Sequence, residues 1–433
     1  MRMNQRSTPT FFAIFCLCLF LSGCLASESP EEPEEEPGWT ATITPLLFEV
    51  DDHNPVVANI GTIQDQGGQA IVFTEPLEGT FSIAPLPTCA FDCPLMNWTP
   101  AYVESFNLSE NSSFAPVRVS EGALGANGTN VWIVSDIGIL YPSNEKQGQV
   151  VLFDYRTQES TTVIDGIGRT VCAEPGDFDG DGDVDLTLCE FGHDEGSVSW
   201  LENEDNSDNW TQHILDPRPG SIHAMPVDVD DDGDLDIVAI LSQNVEEIML
   251  YRNDGQGNFT SESLYDSNLT YYGMSGLRIA DIDKDGDDDI IFTNGDTMDF
   301  DTPPEINPNQ LHGVAWLEND GLGEFTYHEI TRNWGAYDTA ISDVDNDGDL
   351  DMVLICLQTD GQFPEETERV QVILLEQQDA TWVRHDITTG DPHRMLTITP
   401  IDRNIFLVAS HDPMNQGGDL FTLAELTLTF TAP

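Results

Sequence analysis

The sequence predicts an all-β fold, a seven-bladed β-propeller closed by its own N-terminal strand. Three observations predict it. A nine-residue acidic loop is spelled four times, a strand pattern travels with each copy, and the copies recur about every 50 to 60 residues. The first copy is Asp177-Phe-Asp179-Gly-Asp181-Gly-Asp183-Val-Asp185. The second carries Asp228, Asp230, Asp232, Asp234 and Asp236 at the same places. The third carries Asp281, Asp283, Asp285, Asp287 and Asp289, and the fourth Asp343, Asp345, Asp347, Asp349 and Asp351. Glycine stands at the sixth position every time.

Five carboxylates this close repel one another unless a cation sits among them. Hard divalent cations take oxygen ligands, and Ca²⁺ takes roughly six to eight. Side chains 1, 3, 5 and 9 with the carbonyl of residue 7 supply most of such a shell. The expectation is about four Ca²⁺ sites. An EF-hand is excluded, because it needs a carboxylate at position 12 and flanking helices. Position 12 here is Leu188, Ala239, Phe292 and Leu354. A short apolar run follows each loop, such as Ile237-Val-Ala-Ile240, and reads as a buried strand. The loop therefore joins two antiparallel strands as a hairpin.

A third strand follows, ending in an acidic turn: Val198-Ser-Trp200-Leu-Glu-Asn203, Met249-Leu-Tyr251-Arg-Asn253, Val314-Ala-Trp316-Leu-Glu-Asn319 and Val372-Ile-Leu-Leu-Glu376. A fourth strand carries His213, His328 or His385 at one repeat position, which marks them as parts of the repeat. Three further units keep the strands without a metal loop. They begin at Val56, at Pro116 and at Thr397. The last has only three strands of its own. Trp39-Thr-Ala-Thr-Ile43 copies the fourth-strand pattern Trp210-Thr-Gln-His-Ile214, yet precedes the first unit. It is expected to complete the last blade and so close the ring.

The Asp-x-Asp-x-Asp-Gly-Asp-x-Asp loops and the Trp-Leu-Glu-Asn-Asp-Gly turns resemble the FG-GAP-like, or VCBS, repeat family, relatives of the integrin α-chain propeller. The likeness covers about residues 170–390. It implies Ca²⁺ in the loops and a functionally mixed set of relatives: adhesion, carbohydrate binding, scaffolding and some polysaccharide-active enzymes. The Phe-Gly and Gly-Ala-Pro signature of the family is not recognisable in this chain.

Arg2 and Arg6 precede an apolar run, Phe11–Leu21, too short for a typical membrane helix. Leu21-Ser-Gly-Cys24 resembles a prokaryotic lipobox, which implies lipidation at Cys24. The expected organisation is a signal peptide over 1–23, an acidic Pro/Glu-rich tether over 24–38 and the propeller over 39–433. The chain is then exported and held at a prokaryotic envelope by its lipid alone. Cys172 and Cys189 lie symmetrically about the first acidic loop, so a cross-strand disulfide is expected. Cys89 and Cys93 form a second candidate disulfide or a zinc half-site, and Cys356 is left over.

The net charge is −63, with Lys146 and Lys284 the only lysines. Such a surface excludes nonspecific nucleic-acid binding and fits a soluble monomer in high salt. The scarce cations Arg169, Arg218, Arg278, Arg332 and Arg394, with His223 and His393, fall in or beside the connections between units. One reading is a ligand face for a carboxylate or sulfate, formed by Arg169, His223, Arg278, Arg332 and Arg394. The other is local charge compensation. No hydrolase elbow, phosphate loop or zinc-protease motif is present. The insertion from Gly295 to Glu305, with His312, is the least repeat-like surface loop; its paired carboxylates read either as an acid–base pair or as the solvated acids usual in an acidic protein.

The first functional reading is a non-catalytic, calcium-binding surface lipoprotein whose partner is a glycan or a surface protein. The second is a polysaccharide-active enzyme, a lyase or hydrolase, working on the face opposite the calcium. The third is an envelope scaffold. A deep channel pocket gathering Arg, His and Tyr favours the enzyme, and a shallow face favours binding.

Overall fold

The computed structural model describes residues 38–46, 57–65, 68–86, 103–108, 114–125, 128–204, 209–296, 303, 305–358, 370–378, 381–387, 395–410 and 423–431. Cys24, Cys89, Cys93, His393 and Arg394 lie outside them, as do the lipobox, the tether and most of the insertion after Asp296.

Seven small antiparallel sheets form a ring. Blades I to VI span 59–106, 116–167, 170–216, 221–266, 274–332 and 336–387. Blade VII takes its first three strands from 395–431 and its outermost from Gly38–Pro45. The chain thus closes on itself: Trp39 pairs with Phe430, and Ile43 with Leu426. The Trp39 ring packs 5.3 Å from Phe430, and its Nε1 donates to Glu376 of blade VI at 3.2 Å. One side chain therefore joins the closing strand both to its own blade and to the next.

Blades stack face to face, so their middle strands bury both faces while the outermost strands meet water. The second strand of blade IV, Asp236–Ser242, is buried at every residue, whereas its fourth strand, Phe259–Asp266, is mostly exposed. This explains why second strands read as unbroken apolar runs rather than as alternating ones. Between blades VI and VII, Val353, Leu374, Phe406, Val408 and Leu426 form one core with Trp39 laid on its edge. Each such buried side chain contributes roughly 1.5 to 3 kcal/mol.

Blade III departs from the others. Its first strand is split into Thr170–Cys172 and Pro175–Gly176, with a register shift between Thr170 and Cys172. Cys172 sits opposite Cys189, Cα atoms 5.0 Å apart, and the two are disulfide-bonded. Cys356 is buried and unbonded to other cysteines.

Candidate metal centres and the central channel

Each acidic loop connects the first and second strands of blades III to VI. Its shape follows from its own carboxylates. In blades III to V the N–H of the sixth-position glycine donates to the first aspartate: Gly182 to Asp177 at 3.1 Å, Gly233 to Asp228 at 3.0 Å and Gly286 to Asp281 at 3.2 Å. Residue 7 donates to aspartate 5 in all four loops, and residue 5 donates to aspartate 3 in blades III, V and VI, as in Asp183 to Asp181 and Asp181 to Asp179. The carboxylates are thereby turned to one side. Only glycine takes position 6 without strain, since φ there is +93°, +94°, +107° and +101° along the chain.

Ligand-capable oxygens of Asp228, Asp230 and Asp232 lie within 4.8 Å of one another. So do those of Asp281, Asp283 and Asp285, and of Asp343, Asp345 and Asp347. In blade III the group is Asp177, Asp179 and Asp185. A hard cation fits these sets on one further observation. Asp228 Oδ1, Asp281 Oδ1 and Asp343 Oδ1 are buried and accept no hydrogen bond. A buried carboxylate oxygen without a partner is costly, and a cation bonded to it removes the cost.

The ninth aspartate works as a strap. Asp185 accepts from Phe178 N and Asn203 N, and Asp236 from Val229 N and Asn253 N. Asp289 accepts from Ile282 N and Asn319 N, and Asp351 from Val344 N and Gln377 N. Both oxygens are used, each keeping one lone pair for a metal. Burial pushes the Asp185 carboxyl up to about 7, and those of Asp236, Asp289 and Asp351 up to about 6. The seventh side chains stand outside the groups. Asp349 pairs with Lys284 of the preceding loop at 3.1 Å. Asp183, Asp234 and Asp287 are likewise absent from the three-oxygen sets.

The loops are also tied to one another. Asn253 Nδ2 donates to Leu235 O of its own loop and to Phe178 O of the loop before. Asn319 does the same with Asp288 O and Val229 O. Gln377, in its hydrogen-bonding orientation, reaches Leu350 O and Ile282 O. One amide per blade thus joins neighbouring loops through all four.

The axis of the ring holds a cavity of about 620 Å³ to which all seven blades contribute. Two arginine–carboxylate pairs lie in it, beside Glu121, which accepts from Gln64 N and Asn130 Nδ2. Arg118 of blade II lies 2.8 Å from Glu174 of blade III, a contact off the N–H axis, so it is a charge contact rather than a hydrogen bond. Arg278 of blade V bonds Asp338 of blade VI at 2.6 Å. His223 of blade IV has Nδ1 against Arg118 at 3.1 Å and Nε2 against Ser275 O at 3.0 Å, so Nε2 carries the proton. Burial holds His223 well below the usual histidine range, helped by Arg118 and Arg278. Burial raises Glu174 and Asp338, opposed by their arginines. Hydroxyls complete the belt: Ser120 donates to Ala173 O, Ser275 to Tyr337 O and Thr399 to Ile60 O.

The expected ligand face is therefore only partly assembled. His223 and Arg278 line the cavity from within first strands, not from connections. Arg169 is buried and spends its guanidinium on the carbonyls of Ile139, Leu140 and Gly192. Arg332 bonds Glu329 and Gln310 O, and Arg218 bonds Asp216 and Glu247. Charge compensation describes Arg218 and Arg332, and Arg169 serves backbone carbonyls instead. Arg118, Glu174 and Asp338 are site residues that the sequence reading missed. A signal existed: Glu174 and Arg278 each stand three residues before an acidic loop, and His223 and Asp338 five before. His312 is fully buried, its Nδ1 accepting from Gly335 N, and burial takes its pKa to about 4, which suits a core residue. His213 stacks on Trp200 at 4.6 Å and bonds Glu202, and His328 lies against Trp316 and bonds Glu318.

A family model described as FG-GAP-like repeat matches residues 177–239 and 228–292. The chain carries FG-GAP-like repeats. Among solved structures, a candidate 6-phosphogluconolactonase from Bacteroides fragilis is 13% identical, with 75% of this chain and 82% of that one covered, at a TM-score of 0.45. An α-L-arabinanase from Penicillium chrysogenum, complexed with arabinobiose, is 7% identical, with 73% and 93% covered, at a TM-score of 0.38. No curated protein sequence matches. The matched FG-GAP-like repeats coincide with the acidic loops of blades III and IV and the start of blade V. Among the described residues no helix is long and apolar enough to cross a membrane.

Proposed function

We propose that the protein is a calcium-clamped propeller, exported and held at the cell envelope by a lipid on Cys24, that binds a glycan or a surface protein without catalysis. The observation that carries the calcium reading is the buried, unpartnered oxygen of Asp228, Asp281 and Asp343, repeated at the first position of three loops. Bound Ca²⁺ would be held by aspartates 1, 3 and 5 in blades IV to VI, and by Asp177, Asp179 and Asp185 in blade III. Its part is to offset crowded negative charge and fix the hairpins. The chain's own amides then hold neighbouring hairpins in register, giving a rigid surface for a partner. The lipid anchor rests on Leu21-Ser-Gly-Cys24.

The non-catalytic reading is supported by the belt. Both nitrogens of His223 are engaged, and Glu174 and Asp338 each face an arginine, so these three groups are occupied rather than poised to take a substrate proton. A glycan array probed with calcium-loaded and with metal-depleted protein tests the reading. Calcium-dependent binding to a defined glycan class supports it, and binding indifferent to metal counts against it.

The enzyme reading has one observation in its favour. The cavity gathers Arg118, Arg278, His223 and Tyr337 around one pocket. Turnover of an acidic polysaccharide, abolished by Arg278→Ala and His223→Ala, would replace the binding reading.

A further inference from the structure

The four loops are alike, but the residue that faces each from the third strand is not. In blades III, V and VI that residue is Glu202, Glu318 or Glu376, and each pairs with a fourth-strand histidine, His213, His328 or His385. In blade IV the same position is Arg252, and the fourth strand answers with Glu262 at 3.5 Å. The charge order is reversed. Arg252 Nη1 also reaches Asp230 Oδ2, the third-position carboxylate of the loop, at 3.4 Å. Its Nη2 donates to Gly323 O in blade V, so the guanidinium is fixed in place.

We propose, on top of the calcium reading, that Arg252 is a built-in cation that makes the Asp228–Asp236 loop the weak calcium site of the four. The protein then has three tight sites and one graded site. Two effects set the sign. A guanidinium beside Asp230 repels an incoming dication, where the other blades present a carboxylate that attracts it. Asp230 must also give up part of its ion pair to become a ligand. Opposing charges are weaker. Asp231, at the fourth position, adds a negative charge but is exposed and screened. Lys284, at the fourth position of the blade V loop, points away to Asp349 of the next blade rather than to a third-position carboxylate. Because Arg252 is bonded to Gly323 O and Asn319 to Val229 O, loss of calcium from this loop acts on the contact between blades IV and V.

The experiment is calorimetric titration of the metal-depleted full chain with CaCl₂, in the wild type and in Arg252→Glu, Arg252→Gln and Asp228→Ala. Melting curves confirm that each variant is folded. The wild type is expected to show three tight sites and one at least about tenfold weaker. Arg252→Glu should bring the fourth to within a few-fold of the rest, and Arg252→Gln should move it part of the way. Asp228→Ala should remove the weak class and leave three. Four indistinguishable wild-type sites overturn the inference while leaving the calcium reading intact. So does a weak class that both Arg252 variants leave unchanged, or an Asp228→Ala variant that loses a tight site. No calcium heat at all in the wild type sinks the calcium reading, and this inference with it.

Discussion

Calcium-free protein should become less stable as pH rises, and calcium should abolish that dependence. The ninth-position aspartates supply the reason. Asp185, Asp236, Asp289 and Asp351 are at most 3% exposed, and without a metal burial raises all four from an ordinary 3.8, Asp185 to about 7 and the others to about 6. A carboxyl raised on folding binds its proton better in the folded chain. Its contribution is fully present below the unfolded value and is lost as pH rises through the folded one. The window is therefore about pH 4 to 7. At ~1.4 kcal/mol per pH unit, Asp185 accounts for ~4 kcal/mol and the others for ~3 each, on the order of 10 kcal/mol together. That is comparable with the whole stability of a typical domain. The assay is scanning calorimetry of metal-depleted protein at pH 4.5, 6 and 8 in about 1 M NaCl, which screens general surface repulsion. The melting temperature should fall by on the order of 10 °C across the series and recover at pH 8 with millimolar calcium. A calcium-free protein as stable at pH 8 as at pH 4.5 refutes the reasoning.

Other perturbations have equally definite outcomes. Truncation to residue 51 removes Gly38–Pro45 and should expose the blade VII edge, lowering both melting temperature and monomer content, whereas removal of 25–37 alone should change neither; chromatography with light scattering reads both. Replacing Cys172 and Cys189 by serine opens a link of sequence separation 17 and should cost about 3 kcal/mol in a denaturant titration. Arg278→Ala leaves the Asp338 carboxylate buried beside the Thr339 and Ile398 amides without its cation. It should cost about 3 kcal/mol, and Arg278→Ala with Asp338→Asn should recover part of that loss.

Ring number, blade order and closure were legible because they are written in repetition. Four copies of one loop fix a period, and the period locates degenerate blades that would be unreadable alone. Trp39 betrayed the closing strand by copying Trp210, and the two occupy equivalent outermost strands. The channel was less legible. Arg118 sits in a blade without a metal loop, so nothing in the repeat drew attention to it. Its meeting with Glu174 and His223 depends on three blades closing around an axis, which no local pattern encodes. Arg169 misled for a related reason. A lone arginine between two units looks like a ligand, and only the packed chain shows the carbonyls of Ile139 and Leu140 that it serves. The exchange of Glu for Arg252 stood in the aligned third strands, but it gained meaning only when Asp230 appeared beside it.

The central claim is that cations complete the four loops. Crystals grown with calcium and measured at a wavelength where calcium scatters anomalously test it most directly. The account predicts anomalous peaks inside the loops of blades III to VI. In the last three blades the peaks should lie within bonding distance of Asp228 Oδ1, Asp281 Oδ1 and Asp343 Oδ1, with the blade IV peak the weakest. Ordered loops without anomalous density at saturating calcium would contradict it.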